Sequence, residues 1–459
     1  MAVLDRASLV QRLNQRTASP HAALTLVNTF AFGDREIARY SMQNGLKLLL
    51  LNDDAAEVVS VHTWFGVGSR HEQPGKTGLA HLFEHLMFNE TENLPAGEFD
   101  RTLEAAGGEV NAATWVDWTF YYENVPSAEL ALVLRLEAER MQRLVLREPQ
   151  VASEKEVVAN ERRYRVDDDV EGAVNELLYK TAFARHPYHW PTIGWMEDIQ
   201  GFTTEDCARF YAAYYAPNNA IMVLVGHFDE EATLTLLQEH YGAIAPAQMP
   251  PHHFEAEPRQ EEERVLEIEK PTPTDKLALG YKGPSLGEPD YAVLTVLNEV
   301  LTGGKSSRLY RALISEGELA SDIRGSVSAT KDPGLYELWA SAREGHSAED
   351  ALTKIESVLD QVIAHGISES ELDKAKNRLE LGFLHGMETA SGKAEQIGFY
   401  ETVLGDAARI FQQLEAYRGV SLGDVQRVAR ARFDKTQRTT LFVRPSGEDG
   451  GEDNEEEAA

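Results

Sequence analysis

One stretch of this chain occurs twice. Gly201-Phe-Thr-Thr-Glu-Asp-Cys-Ala-Arg-Phe-Tyr leads to Ile221-Met-Val-Leu-Val225, and Gly419-Val-Ser-Leu-Gly-Asp-Val-Gln-Arg-Val-Ala leads to Thr439-Thr-Leu-Phe-Val443, 218 positions apart at both ends. Each copy reads as a polar N-capped helix, a turn and a buried strand. A chain that duplicates such a unit is expected to fold as two similar halves, each an α+β unit with helices on one face of a mostly antiparallel sheet. At 459 residues it exceeds one ordinary hydrophobic core. Pro246, Pro250, Pro251 and Pro258 mark a linker over 245–263, which separates a first unit at 35–244 from a second at 264–446. Residues 1–34 are expected as an N-terminal extension and 447–459 as a disordered tail.

Chemistry is concentrated in His81-Leu-Phe-Glu-His85. On a helix, His81 and His85 stand one above the other with Glu84 beside them. Two neutral imidazoles in that relation can hold Zn²⁺ while the carboxylate takes a proton from water. A histidine pair by itself is more often a solvated or internally satisfied pair. The flanks from Val61 to Asn89, VHTWFGVGSRHEQPGKTGLAHLFEHLMFN, read as an apolar strand, a glycine-rich turn and an apolar helix, and burying these groups there is costly without a metal or partners. A catalytic zinc takes three protein ligands and keeps one position open. Cys207 is the only cysteine, which excludes a thiolate-rich site. Glu154 and Glu161 lie seven apart in the helical segment Val151–Arg163 and share a face, although a solvated acidic helix accounts for that segment taken alone.

These residues, with Gly107-Gly-Glu-Val-Asn-Ala-Ala-Thr114, His186-Pro-Tyr188, Pro191, Ile193-Gly194 and Tyr215-Ala-Pro-Asn-Asn219, resemble the pitrilysin-like, or insulinase-like, zinc metallopeptidases over about residues 35–446. The resemblance implies one Zn²⁺ held by His81, His85 and Glu161, Glu84 as the catalytic base, and Glu154 as a supporting acid that orients a histidine. It further implies that Asn111 and Ala112, with Phe88 nearby, bind an extended peptide by strand addition. The family usually continues its zinc helix into Phe-x-Gly-Thr, where this chain has Phe88-Asn-Glu-Thr91. The corresponding helix of the second half, Tyr291–Thr302, has no histidine, so only the first half is expected to carry chemistry.

Single-chain members of that family bear an arginine and a tyrosine seven apart after a glycine-rich Ser-Ser-Arg-Leu segment. Gly303-Gly-Lys-Ser-Ser-Arg-Leu-Tyr310 is present, but Ile314 and Ser321 stand where the pair belongs, and Arg308, Tyr310 and Arg311 are out of register. The resemblance is therefore closest to the zinc-bearing subunit of the bacterial two-subunit type, whose homologous partner carries the pair. The expected function is a zinc-dependent endopeptidase acting on peptides or unfolded segments. The alternatives are a processing peptidase for basic targeting sequences and a non-catalytic assembly subunit.

The formal charge of −31, with seven acids and no base in the tail, argues against nucleic acid; its field would favour cationic peptides, although surface solubility accounts for it more simply. No run of 18 apolar residues predicts a membrane span. One cysteine and no visible secretory signal predict a cytoplasmic protein, with periplasmic or organellar placement left open by Arg6, Arg12 and Arg16 in an acid-poor leader. His240, His252 and His253 around the linker read as solvated rather than metal-binding.

Overall fold

The structure, a computed structural model, describes residues 5–251 and 254–446; His252, His253 and the acidic tail lie outside the described residues. Among these residues two sheets form. The first combines β1 (Leu24–Phe32), β2 (Arg35–Met42), β3 (Lys47–Asn52), β4 (Val58–Phe65), β5 (Glu109–Thr114), β6 (Thr119–Pro126) and β7 (Ala220–Gly226) in the order β1-β2-β3-β7-β4-β6-β5. The second combines β8 (Arg264–Lys270), β9 (Lys276–Lys282), β10 (Ala320–Val327), β11 (Leu335–Ala342) and β12 (Arg438–Pro445) in the order β10-β11-β9-β12-β8. Each is antiparallel apart from one parallel pair, β3 with β7 and β12 with β8. β1, from the segment expected as an extension, is the edge strand beside β2.

The repeated unit folds alike in both copies. Thr203 and Ser421 cap their helices through capping boxes with Asp206 and Asp424, and the helices feed the central strands β7 and β12. All seven residues of β7 are buried, as are Leu48–Leu51 of β3. Such continuous apolar runs require cover on both faces of the sheet. Alternation divides them: Leu48, Leu50, Met222 and Leu224 join the core beneath the first half's own helices, whereas Leu49, Leu51, Ile221, Val223 and Val225 pack against Ala394 and Ile397. Those two residues belong to the helix Ala390–Leu404, from the second half. The exchange is mutual. Val174, Leu178 and Ala182 of the first half's helix Val170–Ala182 cover Ala278, Leu335, Leu441 and Val443 of the second sheet. Each half therefore keeps most of its helices on one face of its sheet and lends helical cover to the far face of the other. No helix among the described residues is long and apolar enough to cross a membrane.

Candidate metal centre

The motif forms the short helix Leu79–Leu86, whose apolar side chains are buried in the first core. It starts at Gly78, where φ is 97° and an added Cβ would stand 2.4 Å from the Ile193 carbonyl oxygen. Glycine is required there both by conformation and by space. Having no side chain, Gly78 cannot cap the helix. The buried Glu72 does so from a distance, its two oxygens accepting from Gly78 N at 2.8 Å and Ala80 N at 2.7 Å. Tyr121 donates to the Phe83 carbonyl at 2.9 Å from the sheet beneath. The helix is thus held at its start and along its length before any metal is considered.

Opposite it runs the helix Glu148–Arg162, which presents Glu154 and Glu161. Glu161 Oε2 lies 3.6 Å from His81 Nε2 and 3.3 Å from His85 Nε2. Among the described residues these three are the one group of at least three His, Cys, Asp or Glu side chains able to share a metal ion, with ligand atoms all within 4.8 Å of one another. Two ligand atoms about 2.0–2.1 Å from a tetrahedral zinc are about 3.3 Å apart, so the spacing suits the ion. Glu161 Oε2 is buried without a hydrogen-bond partner, the kind of orphan that a bound group explains. The other carboxylate oxygen, Oε1, is engaged by Arg165 at 2.9 Å.

Burial depresses the His81 pKa to about 4, which keeps the ring neutral and free to donate a lone pair. At His85 burial pulls the same way, but the carboxylates of Glu161, Glu84 and Glu154 outweigh it and raise the pKa. Burial raises the Glu84 carboxyl above its ordinary range, against the opposing influence of Thr114 and His85. A carboxyl shifted toward neutrality suits a group that must take up and release one proton. Glu154 Oε2 is 3.7 Å from His85 Nδ1, and its Oε1 accepts from Asn89 Nδ2 at 3.2 Å. Asn89 stands at the variable position of the family's Phe-x-Gly-Thr continuation, whose glycine is Glu90 in this chain.

The remaining expected residues fall into two groups. Asn111 and Ala112 lie on β5, which pairs only with β6 and is the edge of its sheet; the Asn111 side chain accepts from Ala112 N at 2.8 Å. Phe88 is half-buried against Phe99 and Tyr121, with the Arg140 guanidinium 5.2 Å from its ring centre, and packs against the first core. In the second half, Ile314 packs against the second core and Ser321 donates to the Ser341 carbonyl at 3.3 Å. Arg308 is held by Glu371 through bonds of 2.7 and 2.8 Å. The roles of Glu72 and Thr114 were not read from sequence; Glu72 stands six residues before the glycine it serves, outside the usual capping spacing.

A duplicated α+β chain with an inverted histidine motif facing a glutamate helix defines a metallopeptidase class, and the comparisons agree. The chain belongs to peptidase family M16: residues 47–194 match the family described as Insulinase (Peptidase family M16), and residues 201–379 the Peptidase M16 inactive domain. It is 33% identical over 409 residues to the zinc protease PqqE of Helicobacter pylori, covering 88% of this chain and 92% of that protein. It is 27% identical over 422 residues to the uncharacterized zinc protease YmxG of Bacillus subtilis, covering 90% and 99%. The crystal structure of a protease from Helicobacter pylori superposes with a TM-score of 0.86 at 32% identity, covering 90% of this chain and 100% of that one.

Proposed function

We propose that this chain is a zinc-dependent endopeptidase acting on peptides or unfolded segments, with His81, His85 and Glu161 as metal ligands. The observation that carries it is the buried, unpartnered Glu161 oxygen standing 3.6 and 3.3 Å from two imidazole nitrogens on the facing helix. When bound, zinc supplies Lewis acidity that polarises a carbonyl and makes water a better nucleophile at neutral pH. Glu84 takes the proton of the attacking water and returns it to the leaving amine. Glu154 and Arg165 hold His85 and Glu161 in orientation. The free edge of β5 pairs with an extended peptide through main-chain hydrogen bonds, which makes little demand on sequence.

Ile314 and Ser321 offer neither guanidinium nor phenol to a developing oxyanion, and each donor of that kind is worth about a hundredfold in rate. This supports a homologous partner subunit that supplies them. The test is peptide cleavage by the purified chain, with and without a chelator, alone and mixed with the partner. Cleavage indifferent to chelation would end the zinc reading; full activity from the isolated chain would end the split site.

A further inference from the structure

The stretch His186-Pro-Tyr188 takes no part in the chemistry above; it sits at a buried polar junction between the two halves. Two other segments of the first half meet it there. One is the loop between β4 and the motif helix, which carries Arg70 and, two residues on, Glu72, the carboxylate that caps that helix. The other is the turn between β5 and β6, which carries Asp117. Backbone bonds join loop and turn: Ser69 N and Arg70 N donate to the Trp115 and Val116 carbonyls at 3.2 and 2.9 Å. The cap of the motif helix and the end of β5 are therefore tied to one short piece of chain. β5 has a neighbouring strand on one side only, so the turn at its end is an anchor that its own sheet does not replace.

The second half enters this junction with one loop, residues 328–334 between β10 and β11. Lys331 N donates to Asp117 Oδ2 at 2.8 Å. Asp332 N donates to the Tyr188 hydroxyl at 3.2 Å, and that hydroxyl donates to Asp117 Oδ1 at 3.0 Å. The Asp332 carboxylate accepts from Arg70 Nη2 and, at 3.0 Å, from His186 Nε2. His186 Nδ1 accepts from Tyr188 N at 3.2 Å, which leaves the ring proton on Nε2, where Asp332 takes it. Arg70 and Asp117 are only 4% and 5% exposed. A buried guanidinium is costly unless its donors are matched. Arg70 Nη1 reaches Asp117 at 3.0 Å and Nη2 reaches Asp332, so each half supplies one acceptor. Without the Asp332 carboxylate, the buried Nη2 loses its acceptor and the loop that carries Glu72 loses its tie to the second half.

Resting on the peptidase reading above, we propose that Asp332 is a positioning residue for the metal centre of the opposite half. Through Arg70 it fixes the loop whose Glu72 caps the motif helix, and through the same loop it fixes the turn at the end of β5. The half that lacks the motif thereby acts on the reaction without touching metal or substrate. It sets how the metal ligands stand relative to the strand on which the peptide lies.

The experiment compares the full-length chain with its Asp332→Asn and Asp332→Glu variants, and takes Glu401→Gln as the control. Glu401 also joins the halves, meeting Arg39 at 2.6 Å, but on β2, toward the opposite edge of the sheet from β5. Amide hydrogen exchange of the zinc-free chains, read by mass spectrometry, requires no activity. Asp332→Asn should speed exchange over residues 66–80 and 109–118 by about tenfold or more, the loss of one hydrogen bond to a charged group. Asp332→Glu, which keeps the charge, should restore most of that protection. After zinc loading, Asp332→Asn should also release the metal to a competing chelator more readily than the wild type. Glu401→Gln should lower the melting temperature and change neither readout. Wild-type exchange over both segments in Asp332→Asn, or the same change in Glu401→Gln, would overturn the positioning role and leave the peptidase reading intact. Protection lost throughout the Asp332→Asn chain would overturn it as well, in favour of a general folding contact. If the local change appears but the zinc-loaded wild type with its partner cleaves no peptide, the positioning stands and the peptidase reading falls.

Discussion

The two halves place a pair of facing helices at the same point of their folds and use them differently. In the first, Leu79–Leu86 faces Glu148–Arg162 across His81, His85 and Glu161, with one carboxylate oxygen left without a partner. In the second, Pro289–Thr302 faces Glu369–Gly386, and Glu299 meets Arg378 at 2.7 Å, a pair complete in itself. The first contact leaves Glu161 Oε2 without a hydrogen-bond partner, and the second is closed by its own ion pair. The scaffold is shared, and a few side chains at one helix contact distinguish the copy with a candidate metal group from the copy without one.

The sharpest way to break this comparison is Glu84→Gln, which keeps shape and loses the base. Hydrolysis should fall by roughly 10²–10⁴-fold with zinc content unchanged, read by peptide turnover and elemental analysis. An active variant would show that the first half does not work as assigned. Next, Glu161→Ala leaves two histidines for the metal, and zinc occupancy after dialysis should drop well below that of the wild type. Full occupancy would move the third ligand elsewhere.

A third experiment probes the exchanged helices. His62 is buried between the first sheet and the helix lent by the second half, its Nε2 3.4 Å from Ser391 Oγ, and burial holds its pKa down to about 3. The unfolded chain, with an ordinary histidine near 6.5, binds the extra proton as pH falls. This contribution to stability is complete above about pH 6.5 and is lost progressively toward pH 3. Denaturant titrations across that window should show His62→Gln flattening the acid loss by an amount on the order of a few kcal/mol; an unchanged slope would mean that the groove between the halves admits water. The smallest effect belongs to the second half's own contact. Glu299→Gln removes a half-exposed pair and should cost about 1 kcal/mol or less, leaving zinc content and turnover untouched. A loss of zinc in that variant would erase the distinction between the halves.

Much of this was legible in the chain. The repeat at an offset of 218 positions announced two similar α+β halves because capped helices and buried strands are written in local pattern. His81, Glu84 and His85 were legible because a helix brings residues three and four apart together whatever else the protein does. Glu161 was weaker, since its segment reads equally as a solvated helix until the facing helix is known. The continuous apolar runs of β3 and β7 implied cover on both faces without saying which helix supplies it.

Sequence alone therefore determined the repeat, the motif and the absence of histidine from the corresponding helix Tyr291–Thr302, all of which depend on neighbours along the chain. Only the tertiary structure decided that Ala390–Leu404 crosses to the first sheet, that Glu72 caps the motif helix and that Glu161 leaves one oxygen unpartnered. These depend on contacts between residues far apart in the chain, which form only when burial of the apolar faces brings the elements together.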